Sequence, residues 1–196
     1  MLAGDRPSDG QHLMTLYFNH LRPGATGGFV QAGHRRTAAE TALALFEESA
    51  ERERSAGGLD QLDLELMATT AAWLGESLVQ GAYLREYHAW EKDTKQYIEE
   101  QFRWNGRQPW RWNSSQSHVE KVRLALEALH AVVPEQALAG IDSLRIRVNA
   151  FKHSSGWSEP DFPTRADLDN AMTAVEEFWS SLADQEQYDP RELGER

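Results

Sequence analysis

The sequence predicts an all-α fold, an antiparallel bundle of five or six helices, on three observations. Apolar residues recur at three- and four-residue spacing over most of the chain. No run of useful length alternates in the manner of a strand. Helix-starting and helix-stopping residues punctuate the apolar stripes. The bundle is expected over residues 34–185. An N-terminal segment, 1–33, precedes it with a short element and a Gly-rich loop, and a polar tail, 186–196, follows.

Residues 11–20 read as a short helix or strand, and Pro23 to Gly28 as a loop by composition. From about His34 to Arg54, Ala39, Ala42, Leu43, Phe46 and Ala50 fall at helical spacing, and Ser55-Ala56-Gly57-Gly58 closes the run. Leu59 to Phe102 reads as helix almost throughout. Leu62, Leu66, Thr69, Trp73 and Glu76 fall along one face and Leu84, Tyr87, Glu91, Thr94 and Ile98 form a second stripe, while Gly75 and Gly81 mark a bend or a close contact. A loop with three Trp, 104–113, follows. Ser117 to Glu120 has the form of a capping box, and Val119, Val122, Leu126, Leu129 and Val133 make the next stripe. Pro134 separates that helix from one over 135–153, which Ser154-Ser155-Gly156 stops. Thr164 to Asp167 starts a last helix with Leu168, Ala171, Val175, Phe178 and Leu182 inward.

Composition narrows the function classes. The 196 residues contain no Cys, which removes disulfide scaffolds, thiolate–zinc sites and thiol nucleophiles and suits a reducing cytoplasm. No apolar run reaches membrane-spanning length, and the first residues lack the plan of a signal peptide, so a cytoplasmic protein without membrane association is expected. A net charge of −11 argues against broad, nonspecific nucleic-acid binding but leaves room for a local basic site or a basic protein partner. The His residues show no ligand spacing with carboxylates, and no phosphate loop or serine elbow is present, so neither a metal nor a cofactor is expected.

The helix over 135–153 carries the densest chemistry. At about 100° per residue, Asp142, Arg145, Asn149, Lys152 and His153 share an arc of about 100° opposite Leu144, Val148 and Phe151. Arg147 falls off this arc. Ile146 sits beside it, an apolar residue where water is expected. A solvated polar face is the plain reading of such a stripe. The functional reading is that Arg, Asn, Lys and His near a helix C-terminus suit phosphate chemistry, since that end favours a protonated imidazole.

The stretch Leu144-Arg-Ile-Arg-Val-Asn-Ala-Phe-Lys-His153 resembles the Arg-x(4–6)-His motif of HEPN domains: Asn149 and His153 match its Asn-x-x-x-His part, and Arg147 gives Arg-x5-His. Tyr83-Leu-Arg-Glu-Tyr-His-Ala-Trp-Glu-Lys92 is similar to an early, aromatic-rich helix of bacterial HEPN-like proteins. The resemblance covers roughly residues 60–182. It implies a helical bundle that acts as a homodimer, with two motif helices forming one composite site, and RNA cleavage without metal that leaves a 2′,3′-cyclic phosphate. His153 would transfer protons, Arg147 would steady the phosphate charge and Asn149 would position groups. Arg145, on the same side as His153, and Lys152 would support them. Such proteins serve as toxins or defence effectors, with an antitoxin or other protein as partner.

Other features keep two readings each. Glu91, on an apolar stripe, is either a core ion pair with an Arg or His from another helix or an orienting group for the site. In the Trp-rich loop, Arg107, Trp110 and Arg111 either cap the core or stack on RNA bases. His34-Arg35-Arg36, at a predicted helix start, reads as surface or as an anion contact. Besides the nuclease, two functions fit the sequence: a HEPN-like module that binds RNA, a nucleotide or a protein without catalysis, and an acidic helical inhibitor or immunity protein.

Overall fold

A computed structural model describes residues 24–58, 60–112, 115–153 and 162–186. Over these residues the protein is an all-α helical bundle of five helices: α1 (Ala25–Ser55), α2 (Gln61–Trp104), α3 (His118–Leu129), α4 (Glu135–His153) and α5 (Arg165–Glu186). No strand occurs among them. Residues 11–20, the stop after His153 and most of the 186–196 tail lie outside the described residues.

The helix starts are chemically specified. Asp60 accepts a hydrogen bond from the Asp63 amide at 2.9 Å, and Ser117 accepts one from the Glu120 amide at 3.2 Å. At α5 the box is reciprocal: Thr164 Oγ1 accepts from the Asp167 amide at 3.2 Å, and the Asp167 carboxylate accepts from the Thr164 amide at 2.9 Å. α3 ends where His130 takes a left-handed conformation (φ 59°), and the Pro134 carbonyl then accepts the first bonds of α4.

α5 is the spine. Leu168, Ala171, Val175, Phe178 and Leu182 are all buried, as the stripe predicts, and the helix packs against α1, α2 and α4. Its Phe178 and Trp179 join Trp90 and Tyr97 of α2 in edge-to-face contacts with ring centroids 5.1–5.7 Å apart. Each fully buried large side chain of this kind contributes about 1.5–3 kcal/mol.

α1 begins at Ala25, not near His34, because the glycines read as a loop serve packing. Ala25, Gly28 and Ala32 form a small-residue stripe against α5. A Cβ at Gly28 would lie 2.4 Å from the Trp179 ring. Gly140 of α4 is equally tight, where a Cβ would meet Ala174 at 2.7 Å. Gly75 faces Phe46 at an ordinary 3.5 Å, and Gly81 has open space within 4 Å.

The early start moves His34-Arg35-Arg36 from a helix end to the middle of α1. Arg35 is then not a surface residue. Its guanidinium donates to both carboxylate oxygens of Glu86, at 2.9 and 3.2 Å, and to Asp93 at 3.2 Å. Its side chain is 10% exposed and that of Glu86 2%. Burial pushes the Glu86 carboxyl up, against the hydrogen bonds and charge of Arg35 that pull it down. The buried carboxylate of α2 is therefore Glu86 rather than Glu91, whose side chain is 39% exposed.

Candidate functional site

The two segments singled out in the sequence lie on helices that pack together, 83–92 on α2 and 144–153 on α4. Leu144 and Val148 anchor α4 in the core, which turns the polar arc outward. Along that arc Asp142, Arg145 and Asn149 are half-buried, and Lys152 and His153 are exposed. Arg145 Nε donates to Asp142 at 2.6 Å. Ile146, 54% exposed, sits beside them.

Arg147 lies elsewhere. Its guanidinium pairs at 3.1 Å with Asp167 of α5, on the flank of the helix away from His153. Despite burial, which acts the other way, Thr164 hydrogen bonds and the charge of Arg147 hold the Asp167 carboxyl below its ordinary range. Position on the helix thus groups Arg145, Asn149 and His153, and leaves Arg147 clamping α4 to α5. Arg145 and His153 are eight residues apart, about 12 Å along the axis.

Two tyrosines of α2 face this seam. Burial pushes the Tyr83 hydroxyl up to about 12, close to Arg147 and Asp167. Tyr87 is also raised, chiefly by burial. Its hydroxyl donates to Glu91 and lies within electrostatic range of Arg145 and Asp142. Both phenols are neutral hydrogen-bonding groups near pH 7.

Glu91 links the seam to two histidines, one of them from another helix, the kind of partner that one sequence reading gave it. Its carboxylate lies 3.6 Å from His88 Nδ1 and 4.0 Å from His118 Nδ1. His118 comes from the start of α3. It stacks on Trp112 at 5.4 Å and 12°, and meets Trp90 edge-on at 5.4 Å. Burial lowers its pKa, outweighing the attraction of Glu91. Trp112 and His118 lie more than 20 positions from Trp90 and Glu91, so no local spacing marks the cluster.

The Trp-rich loop caps the core. Trp110 packs on Phe102 at 5.2 Å, and Trp112 Nε1 donates to Glu99 at 3.3 Å. Arg107 donates to the Ala128 carbonyl and lies over the Phe102 ring. Trp104 and Arg111 remain exposed. Trp110 is thus half-buried against Phe102, and Arg107 is engaged in joining the loop to α3.

Among the described residues, no cluster of three or more His, Asp or Glu could hold a metal ion, and no helix is long and apolar enough to cross a membrane. No protein-family model, curated protein or solved structure matches the chain.

Proposed function

We propose that the protein is a metal-independent endoribonuclease of HEPN type that acts as a homodimer, with the outward arc of α4 as its site. The observation that carries this reading is the alignment of Arg145, Asn149 and exposed His153 on one open side of α4, beside the packed 83–92 segment. In the proposed reaction the His153 imidazole takes the proton of a ribose 2′-hydroxyl. The 2′-oxygen attacks the adjacent phosphorus, and the bond to the 5′-oxygen breaks. An imidazolium returns a proton to that oxygen, leaving a 2′,3′-cyclic phosphate and a 5′-hydroxyl. Arg145, rather than Arg147, steadies the phosphate charge, and Asn149 positions the attacking group. The ~12 Å between Arg145 and His153 favours a composite site, since an antiparallel second α4 would set one chain's arginine near the other's imidazole. Ile146 supplies an apolar contact for that pairing.

The test is cleavage of RNA in EDTA. His153→Ala should reduce it at least ~100-fold, and Arg145→Ala should reduce it far more than Arg147→Ala. Cleavage that survives His153→Ala overturns the reading. One observation favours a second function, a binding module without catalysis: both Arg145 and Arg147 already hold carboxylates, which a phosphate would have to displace. RNA binding with no cleavage, abolished by Arg145→Ala, would decide for it.

A further inference from the structure

α1 and α2 run past the bundle as a two-helix arm. No residue of α1 after Leu43 and none of α2 before Val79 is buried. Within the arm, Phe46 and Ala50 of α1 share a shallow groove with Met67, Ala71 and Leu74 of α2. These α2 positions belong to an inner stripe at 64, 67, 71, 74 and 78, a 3-4-3-4 repeat. A second stripe, Leu62, Leu66, Thr69 and Trp73, repeats 4-3-4 on the adjoining face, and its Leu66 also borders the groove. There Leu62 is 72% exposed, Leu66 66% and Trp73 63%. The inner stripe lies between the two helices with Leu64, Leu74 and Leu78 still 37–40% exposed, and the more exposed second seam of Leu and Trp is the surface a third helix covers.

Charge selects the occupant. Residues 56–84 contain four carboxylates (Asp60, Asp63, Glu65, Glu76) and no Lys, Arg or His. By helical position, Glu65 and Glu76 border the outer stripe on one side and Asp63 on the other. This face of α2 has no cation to offer the same face of a second copy, so such a pairing would set carboxylates against carboxylates, and an anionic lipid surface would be repelled in the same way. An amphipathic helix with apolar anchors at three- and four-residue spacing and flanking Lys or Arg satisfies both the stripe and its borders.

We propose that the α1–α2 arm is a docking site for a basic amphipathic helix of a partner protein. The partner's apolar face seats on Leu62, Leu66, Thr69 and Trp73, and its cations lie against Asp63, Glu65 and Glu76. This surface is separate from the α4 arc, so the proposal stands or falls independently of RNA cleavage.

The test uses the full chain and two synthetic helical peptides of about three heptads, with Leu at a and d. One carries Lys at e and g and the other Glu. By calorimetry the Lys peptide should bind, more weakly as salt rises, and the Glu peptide at least tenfold more weakly. Leu66→Ser/Trp73→Ser, whose side chains are solvent-exposed, should keep the wild-type circular dichroism and lose at least tenfold in affinity. Amide exchange should slow over 61–78 on adding the Lys peptide. Undiminished binding by the double variant, or protection located elsewhere, overturns the proposal. So does a self-association seen by sedimentation that the double variant abolishes, since the occupant would then be a second copy.

Discussion

Replacing Arg35 by Met removes the guanidinium that grips Glu86 and leaves a carboxylate only 2% exposed without that cation. Breaking a buried pair in this way costs about 3–5 kcal/mol, because the remaining charge keeps its desolvation penalty. For a chain of this size that lowers Tm by roughly 6–20 °C. The reverse truncation is milder. Glu86→Gln leaves Arg35 with Asp93 at 3.2 Å, a carboxylate with 31% of its side chain exposed, so about 1–2 kcal/mol is expected. The two variants also differ in pH dependence. Burial already pushes the Glu86 carboxyl up, and Arg35 opposes that push. Without Arg35 the folded-state pKa rises further above the unfolded value. The folded state then retains its stability below the unfolded carboxyl range, by holding a proton, and loses it as pH rises through the folded value. The slope cannot exceed about 1.4 kcal/mol per pH unit for one group. Urea unfolding of wild type, Arg35→Met and Glu86→Gln at pH 5 and pH 8, followed by circular dichroism, measures this. Arg35→Met should cost more at pH 8 than at pH 5, and more than Glu86→Gln at pH 8. Equal costs for the two variants, or a cost independent of pH, would refute a desolvated carboxylate held by Arg35.

Four further outcomes are expected. Gly28→Ala should destabilise by about 1–3 kcal/mol in thermal unfolding, because its Cβ would meet the Trp179 ring. Gly33→Ala, on the same helix with open space around it, should be neutral or stabilise by up to about 1 kcal/mol. Buried His118 takes up its proton less readily in the folded chain than in the unfolded one, so its contribution falls as pH drops below about 6.5. His118→Gln should flatten the stability profile between pH 5 and 6.5. Thr164→Ala should cost about 1 kcal/mol of chemical stability, through loss of the reciprocal cap on α5.

Much of the fold is legible where local chemistry decides it. The Ser117 and Thr164 caps and the inward face of α5 depend on residues three or four positions apart, and sequence spacing reports them directly. The start of α1 does not. Gly27 and Gly28 carry turn propensity, and their helical state depends on Trp179, a residue remote in sequence. Arg35 fails for the same reason: its partners are 51 and 58 positions away. On α2 a single apolar phase led to Glu91, whereas the helix meets α1 as well as α3, α4 and α5, and its buried face broadens to admit Glu86. The outer part of α2 shows the converse. Leu62, Leu66 and Trp73 have the spacing of a core stripe but no helix of the described bundle to cover them. On α4 the burial of Leu144 and Val148 was legible. The pairing of Arg147 with Asp167 was not, because it needs the position of α5. In the Trp-rich segment Trp110 and Trp112 pack against the core, whereas Trp104, at the end of α2, is exposed.

The place of α5 in the bundle bears on how the chain is made. It is the last of the described helices to leave the ribosome, and it is the one against which α1, α2 and α4 all pack. Until about residue 182 has been synthesised, the apolar faces that it covers stay open to the cell, for several seconds at ordinary translation rates. A chain halted before Arg165 lacks the helix that covers the apolar faces of α1, α2 and α4.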